Sequence, residues 1–155
     1  MVQRSSDSTL RRKFAAVALL TPLVLTACTI DKGPTVAQAG QTLKGHILQL
    51  LQERHARDVT ITDPGGKNVP CGHGRAKQTF AVRATDIDAR SKSQLVKDGL
   101  VATLKRVAPY EIASDDFDSK PIRLENQDAA TVLYVGSPLD GQIDLRGETH
   151  CLKVS

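Results

Sequence analysis

Apolar positions change period several times along this chain. Between residues 35 and 54, Val36, Ala39, Leu43, Ile47, Leu50 and Leu51 recur at steps of three and four, while Gln41, Gln49, Gln52 and Glu53 fall outside that stripe. This spacing predicts an amphipathic helix, opened by Thr35 and Gln38 in a capping-box pattern. Gly40 and Gly45 each weaken it by up to about 1 kcal/mol, so packing has to hold it. Residues 58–62 alternate as a half-buried strand does, and Asp63-Pro64-Gly65-Gly66 breaks it. Residues 71–74 form a tight, Gly-rich corner. Residues 77–85 alternate again, with Phe80, Val82 and Ala84 on one side and Thr79, Ala81 and Arg83 on the other. A second helix is predicted over 92–107: Ser91 and Gln94 suit a capping box, Val96, Leu100, Thr103, Leu104 and Val107 share a face, and Pro109 ends it. Strands are predicted at 110–113 or 122–125, then at 131–135 and 142–149, with 136–141 as a hairpin loop.

The predicted order is α-β-β-α-β-β-β. Most connections are too short for a parallel crossover, which needs a dozen residues or more. The expected fold class is therefore α+β: an antiparallel sheet of four to five strands with two helices packed on one face. Its core is aliphatic, with Phe80 and Tyr134 as the expected large members. No internal repeat is visible, and 155 residues suit one domain.

The front of the chain follows a different pattern. Arg4, Arg11, Arg12 and Lys13 precede an apolar run over residues 14–25 that only Thr21 and Pro22 interrupt. A bilayer core needs about 20 apolar residues, so this run is too short to span one. It matches the apolar region of an export signal. Leu25-Thr26-Ala27-Cys28 follows: an aliphatic residue, two small residues and a cysteine. This resembles the lipobox of bacterial lipoproteins. The resemblance implies cleavage before Cys28, a diacylglyceryl thioether on its sulfur and, usually, an amide-linked acyl chain such as palmitate. Two or more chains anchor stably where one does not. Arg11-Arg12-Lys13-Phe14 also resembles part of a twin-arginine export signal, although Leu10 stands where that motif prefers Ser or Thr. Plain positive charge explains the same residues, and both export routes stay open. The expected layout is a signal peptide over 1–27, a lipidated tether over 28–34 and one globular domain over 35–155. The polar tether reaches at most about 20 Å.

Cleavage changes the charge argument. The full chain holds 21 basic and 17 acidic residues. Residues 1–27 carry four basic residues and one acidic one, Asp7, which leaves 17 and 16, a balance of +1. Nucleic acid is therefore not an expected partner. Aromatic residues are only 3% of the chain, too few for stacking platforms. With Cys28 given to lipid, the three cysteines reduce to one pair, Cys71 and Cys151. An exported chain meets oxidising conditions, so a disulfide is expected. By the chain-entropy model, closing its loop of about 80 residues is worth roughly 4 kcal/mol.

Candidate chemistry is sparse. The Cys71–Cys151 bond would draw His73 towards His150, and two imidazoles can begin a zinc or copper site. The spacing fits no finger, ribbon or knuckle, so a structural disulfide with solvent-facing histidines is the plainer expectation. His46 and His55, nine residues apart on the first helix, point in opposite directions, and no His-Glu-x-x-His pattern exists. Asp115, Asp116 and Asp118 form an acidic cluster without the twelve-residue calcium-loop pattern. Gly65-Gly66 and Gly72-x-Gly74 lack the Lys-Ser/Thr of a phosphate loop. Ser119 and Ser137 lie in loops with no Gly-x-Ser-x-Gly elbow.

The chain also resembles, over its general plan, small surface lipoproteins of actinobacteria, a likeness that implies no reaction. The functional expectation is a lipid-anchored, extracytoplasmic, non-catalytic binding module of the cell envelope. It would meet the membrane through Cys28, use no cofactor, and take an envelope protein or a small ligand as partner. The alternative is an envelope hydrolase or metal-binding protein using His73 and His150.

Overall fold

Helix α1 (Val36–Glu53) begins where the capping box places it. Gln38 N–H donates to the Thr35 hydroxyl at 3.3 Å, and Thr35 N–H donates to the Gln38 side chain at 2.9 Å. The computed structural model describes residues 33–113 and 121–155. The expected export signal, Cys28, most of the expected tether, the Asp115–Asp118 cluster and Ser119 lie outside the described residues. Helix α1 ends in a Schellman motif. Ala56 N–H bonds to Leu51 C=O, His55 N–H bonds to Gln52 C=O, and His55 takes a φ of 52°. His55 therefore stands just past the helix, not on it.

The strands are β1 (Arg57–Asp63), β2 (Val69–Gly72), β3 (Arg75–Lys77) and β4 (Thr79–Thr85). After α2 (Ser93–Val107) come β5 (Glu111–Ile112), β6 (Ile122–Asn126), β7 (Thr131–Gly136), β8 (Gln142–Thr149) and β9 (Leu152–Lys153). The class is α+β, with more strands than the sequence predicts. Six form one antiparallel sheet in the order β1-β4-β8-β7-β6-β5, and three form a smaller sheet, β2-β3-β9. Both alternatives for the fifth strand exist, as β5 and β6 paired to one another. The small-sheet strands run only two to four residues, too short to carry a readable period.

Strands β5 to β8 form an antiparallel meander, and β8 then inserts beside β4. Seven consecutive pairs, from Thr79↔Glu148 to Thr85↔Gln142, join the two halves of the chain. Past Gln78 and Thr149 this ladder continues as β3 with β9, where the Cys71–Cys151 disulfide closes at a Cα separation of 6.1 Å. The expected disulfide is present.

Both helices pack on β7 and β8 and on each other, so they cover the same face. Leu43, Ile47, Leu50, Val96, Leu100 and Leu104 meet Phe80, Val82, Leu124, Leu133, Val135, Ile143 and Leu145 there. Tyr110, not Tyr134, is the buried tyrosine. Two glycines set how closely α1 can approach. A Cβ on Gly147 of β8 would lie 2.5 Å from Leu43 Cδ1. A Cβ on Gly40 would lie 2.1 Å from the side-chain oxygen of Gln78. The helix-weakening Gly40 thus makes room for a buried amide, which also donates to Asn68 at 2.8 Å.

At the other end of the seam, Arg54 Nη2 donates to both oxygens of Asp86 at 2.8 and 2.9 Å, and Asp86 is only 2% exposed. The Ser91–Gln94 capping box does not form. Helix α2 starts one residue later, at Ser93, after Lys92 as N-cap. Asp140, from the β7–β8 loop, accepts from Ser93 N–H at 3.1 Å and pairs with Lys92 at 2.8 Å. A carboxylate here satisfies an orphan N–H and faces the positive end of the helix dipole. Gly141 follows with φ 70°, packed so closely on Ala89 that a Cβ would lie 2.0 Å from its carbonyl oxygen.

Gly147→Ala drives a methyl into Leu43 at the centre of the core. Overpacking of this kind costs about 1–3 kcal/mol. Urea denaturation of the variant is expected to show that loss at unchanged slope.

Candidate functional site

The face of the six-stranded sheet opposite the helices carries mostly polar side chains; Arg83 and Arg146 are exposed there, Val132 is buried, and the rest are partly exposed. Period-two alternation assigns its side chains: Thr79, Ala81 and Arg83 from β4; Asp144, Arg146 and Glu148 from β8; Val132 and Tyr134 from β7; Arg123 and Glu125 from β6. Register sets them in rows across the strands. One row reads Ala81, Arg146, Tyr134, Arg123, and the next reads Thr79, Glu148, Val132, Glu125. A cationic row with a tyrosine at its middle therefore borders an acidic row.

Neighbouring groups hold these charges in place. Arg146 pairs with Asp144 at 2.8 Å and Arg123 with Glu125 at 3.3 Å, each along its own strand. Glu148 accepts from Lys77 at 2.6 Å and from the Tyr134 hydroxyl at 3.5 Å. The Glu148 carboxylate raises the Lys77 pKa above the ordinary lysine value. Between Arg146, Tyr134, Glu148, Ala81, Thr79 and Asp63 lies a hollow of about 250 Å³. Asp63 accepts from the Thr79 hydroxyl at 2.6 Å and from Gly65 N–H at 2.9 Å. Those two hydrogen bonds, the hydroxyl first, hold its pKa below the usual carboxylate value. Arg146, with 61% of its side chain exposed, can turn towards a bound group.

The histidines singled out by sequence do not converge on this hollow. His150 Nε2 lies 2.9 Å from Glu125, and its backbone N–H bonds to Ala130 C=O. His73 and Gly74 are the turn of the β2–β3 hairpin, with φ of 51° and 70°, as a type I′ turn requires. Gly72 and Gly74 thus serve turn geometry, and Gly65, at φ 75°, bends the loop after β1. Among the described residues no group of three His, Cys, Asp or Glu side chains is placed to hold a metal ion. Ser137 donates its hydroxyl to Leu139 C=O at 3.1 Å. No described helix is long and apolar enough to cross a membrane.

His46 is the histidine the fold puts to use. Its Nδ1 lies 3.2 Å from the Tyr110 hydroxyl, the rings meet edge to face at 5.7 Å, and Tyr110 bonds on to Thr131 at 2.9 Å. Burial lowers the His46 pKa and raises that of Tyr110.

Sequence reasoning missed the rows on the open face, and it placed Tyr134 in the core. The signal was present in the parity of β7 and β8. Tyr134 alternates with Leu133 and Val135, and Gln142, Asp144, Arg146 and Glu148 alternate with Ile143 and Leu145. Compared with protein-family models, with curated proteins and with solved structures, the chain matches none.

Because burial lowers the His46 pKa in the fold, the unfolded chain binds more protons at this site as pH falls below its ordinary value of 6.5. The stability tied to neutral His46 is complete above that value and is lost as pH falls through the lowered folded pKa. Urea titrations at about pH 7.5 and about pH 5.5 are expected to show wild type losing more stability on acidification than His46→Gln.

Proposed function

We propose that this chain is a lipid-anchored, extracytoplasmic binding module of the cell envelope, and that its open sheet face takes the partner. The observation that carries the reading is that face: ordered rows of opposite charge around a 250 Å³ hollow, on a sheet whose other side packs against the two helices. Fixed, mutually oriented charges favour specific recognition over bulk affinity. A partner polypeptide presenting a carboxylate to Arg146 and a cation to Glu148 meets both rows.

The anchor rests on separate grounds. A basic front, an apolar run of signal length and Leu25-Thr26-Ala27-Cys28 agree with one another. Cys28 stands seven residues before Thr35, the N-cap of α1. The disulfide fits an oxidising compartment. Anchored this way, the domain works within a short reach of the membrane.

A photo-cross-linking residue at Ala81, in intact cells, tests the face. A discrete product with one envelope protein is expected, lost with Arg146→Glu and absent when the probe replaces Gln41 on α1. The same products from both positions would sink the reading. Fractionation tests the anchor: Cys28→Ser is expected to leave the membrane fraction for the medium, and equal partition of both forms would count against lipidation.

A further inference from the structure

Among the described residues, strand β1 ends the large sheet and is paired on one side only, to β4. Every residue from Arg57 to Thr62 is exposed, and Val59 and Ile61 remain 45% and 48% accessible. The sequence predicts a half-buried strand here, and neither helix packs substantially against it. Ile61 pairs with Val82, whose side chain lies in the core, so Ile61 stands on the helix side of the sheet beyond the helices' edge. A free edge bearing Val59-Thr60-Ile61-Thr62, with no lysine or proline among them, is a template for another strand.

We propose that the occupant of this edge is a second copy of the chain, with β1 pairing antiparallel to β1 about a two-fold axis through Thr60. The order of residues in β1 selects this register. Centred on Thr60, the pairing sets Val59 opposite Ile61 of the second copy and Ile61 opposite its Val59. It sets Arg57 opposite Asp63 of the second copy at both ends. Each apolar cross-strand pair and each opposite-charge pair contributes about 0.2–1 kcal/mol. A slip that sets residue 60 opposite 61 instead brings Asp58 against Asp63 of the second copy, a like-charge contact. Half-exposed Val59 and Ile61 from the two copies then close over one another, and the sheet runs from one chain into the next.

The same strand limits the assembly. The register of β1 on β4 slips between Arg57 and Thr60 and again between Ile61 and Asp63, and Asp58 has φ 52°. Such bulges keep the regular edge short. The opposite edge strand, β5, is two residues long. A two-fold pairing of β1 consumes the longer of the two described edges of the large sheet in both copies, so growth stops at a closed dimer. The contact is small and belongs with transient interfaces. It rests on the sheet edge alone and shares only Asp63 with the hollow of the open face.

Oxidative cross-linking tests the register. Directly opposed antiparallel residues lie about 4.5–5.5 Å apart at Cα, within disulfide range. Thr60→Cys, in the full-length chain purified in mild detergent, is expected to form a covalent dimer at least about tenfold faster than Gln41→Cys on α1. Thr62→Cys, opposite Asp58 of the second copy, is expected to stay at the control rate. Adding Ile61→Lys to Thr60→Cys is expected to return it to that rate with the Cys71–Cys151 bond intact. Equal rates for Thr60→Cys and Gln41→Cys would overturn the proposal. So would a fast rate that Ile61→Lys leaves unchanged.

Discussion

The ladder between β4 and β8 holds the protein together. It joins an N-terminal half, α1 through β4, to a meander that does not otherwise share a long strand pairing with it. Everything else reinforces this seam. Phe80, Val82 and Leu145 carry the core along its covered side, and Gly147 lets Leu43 sit down on it. The disulfide locks its continuation at one end, and the buried Arg54–Asp86 pair pins the other. Breaking a buried pair by removing one partner typically costs 3–5 kcal/mol, because the remaining charge is left uncompensated. With the whole domain stable by about 5–15 kcal/mol, either lock is a large fraction of the total.

The two helices cover one side of the sheet and leave the other to polar chemistry. That division follows from strand parity. The central strands send aliphatic side chains one way and a mostly polar set the other, with Val132 of β7 the exception, and the helices supply one apolar layer for one face. The exposed charges are paired along strands and between neighbours, so they present a fixed pattern and not a diffuse field. A pattern of that kind suits recognition of a shaped partner better than attraction of any polyanion.

Much of the fold was legible because its signals are local. The stripe from Val36 to Leu51 and the Thr35–Gln38 box specify α1 within twenty residues, and the observed helix differs only at its end. The disulfide was legible by counting. What stayed hidden depends on distant residues. Asp140 caps α2 from 47 positions away, so Ser91 and Gln94 formed the only cap visible in sequence. Alternation in β1 states which side chains share a face but not whether anything covers that face. Tyr110 and Tyr134 look alike in composition; parity with Leu133 separates them. The candidate site was hidden for the same reason. Its rows exist only after β8 has been placed between β4 and β7.

The disulfide also carries a consequence for biosynthesis. Its second cysteine follows β8, so the bond cannot form until both helices and the whole large sheet have been made. Sulfur chemistry here can act only after nearly the whole chain has been synthesised. A chain that stalls before residue 151 keeps Cys71 without its disulfide partner, a chemical mark by which incomplete molecules differ from complete ones.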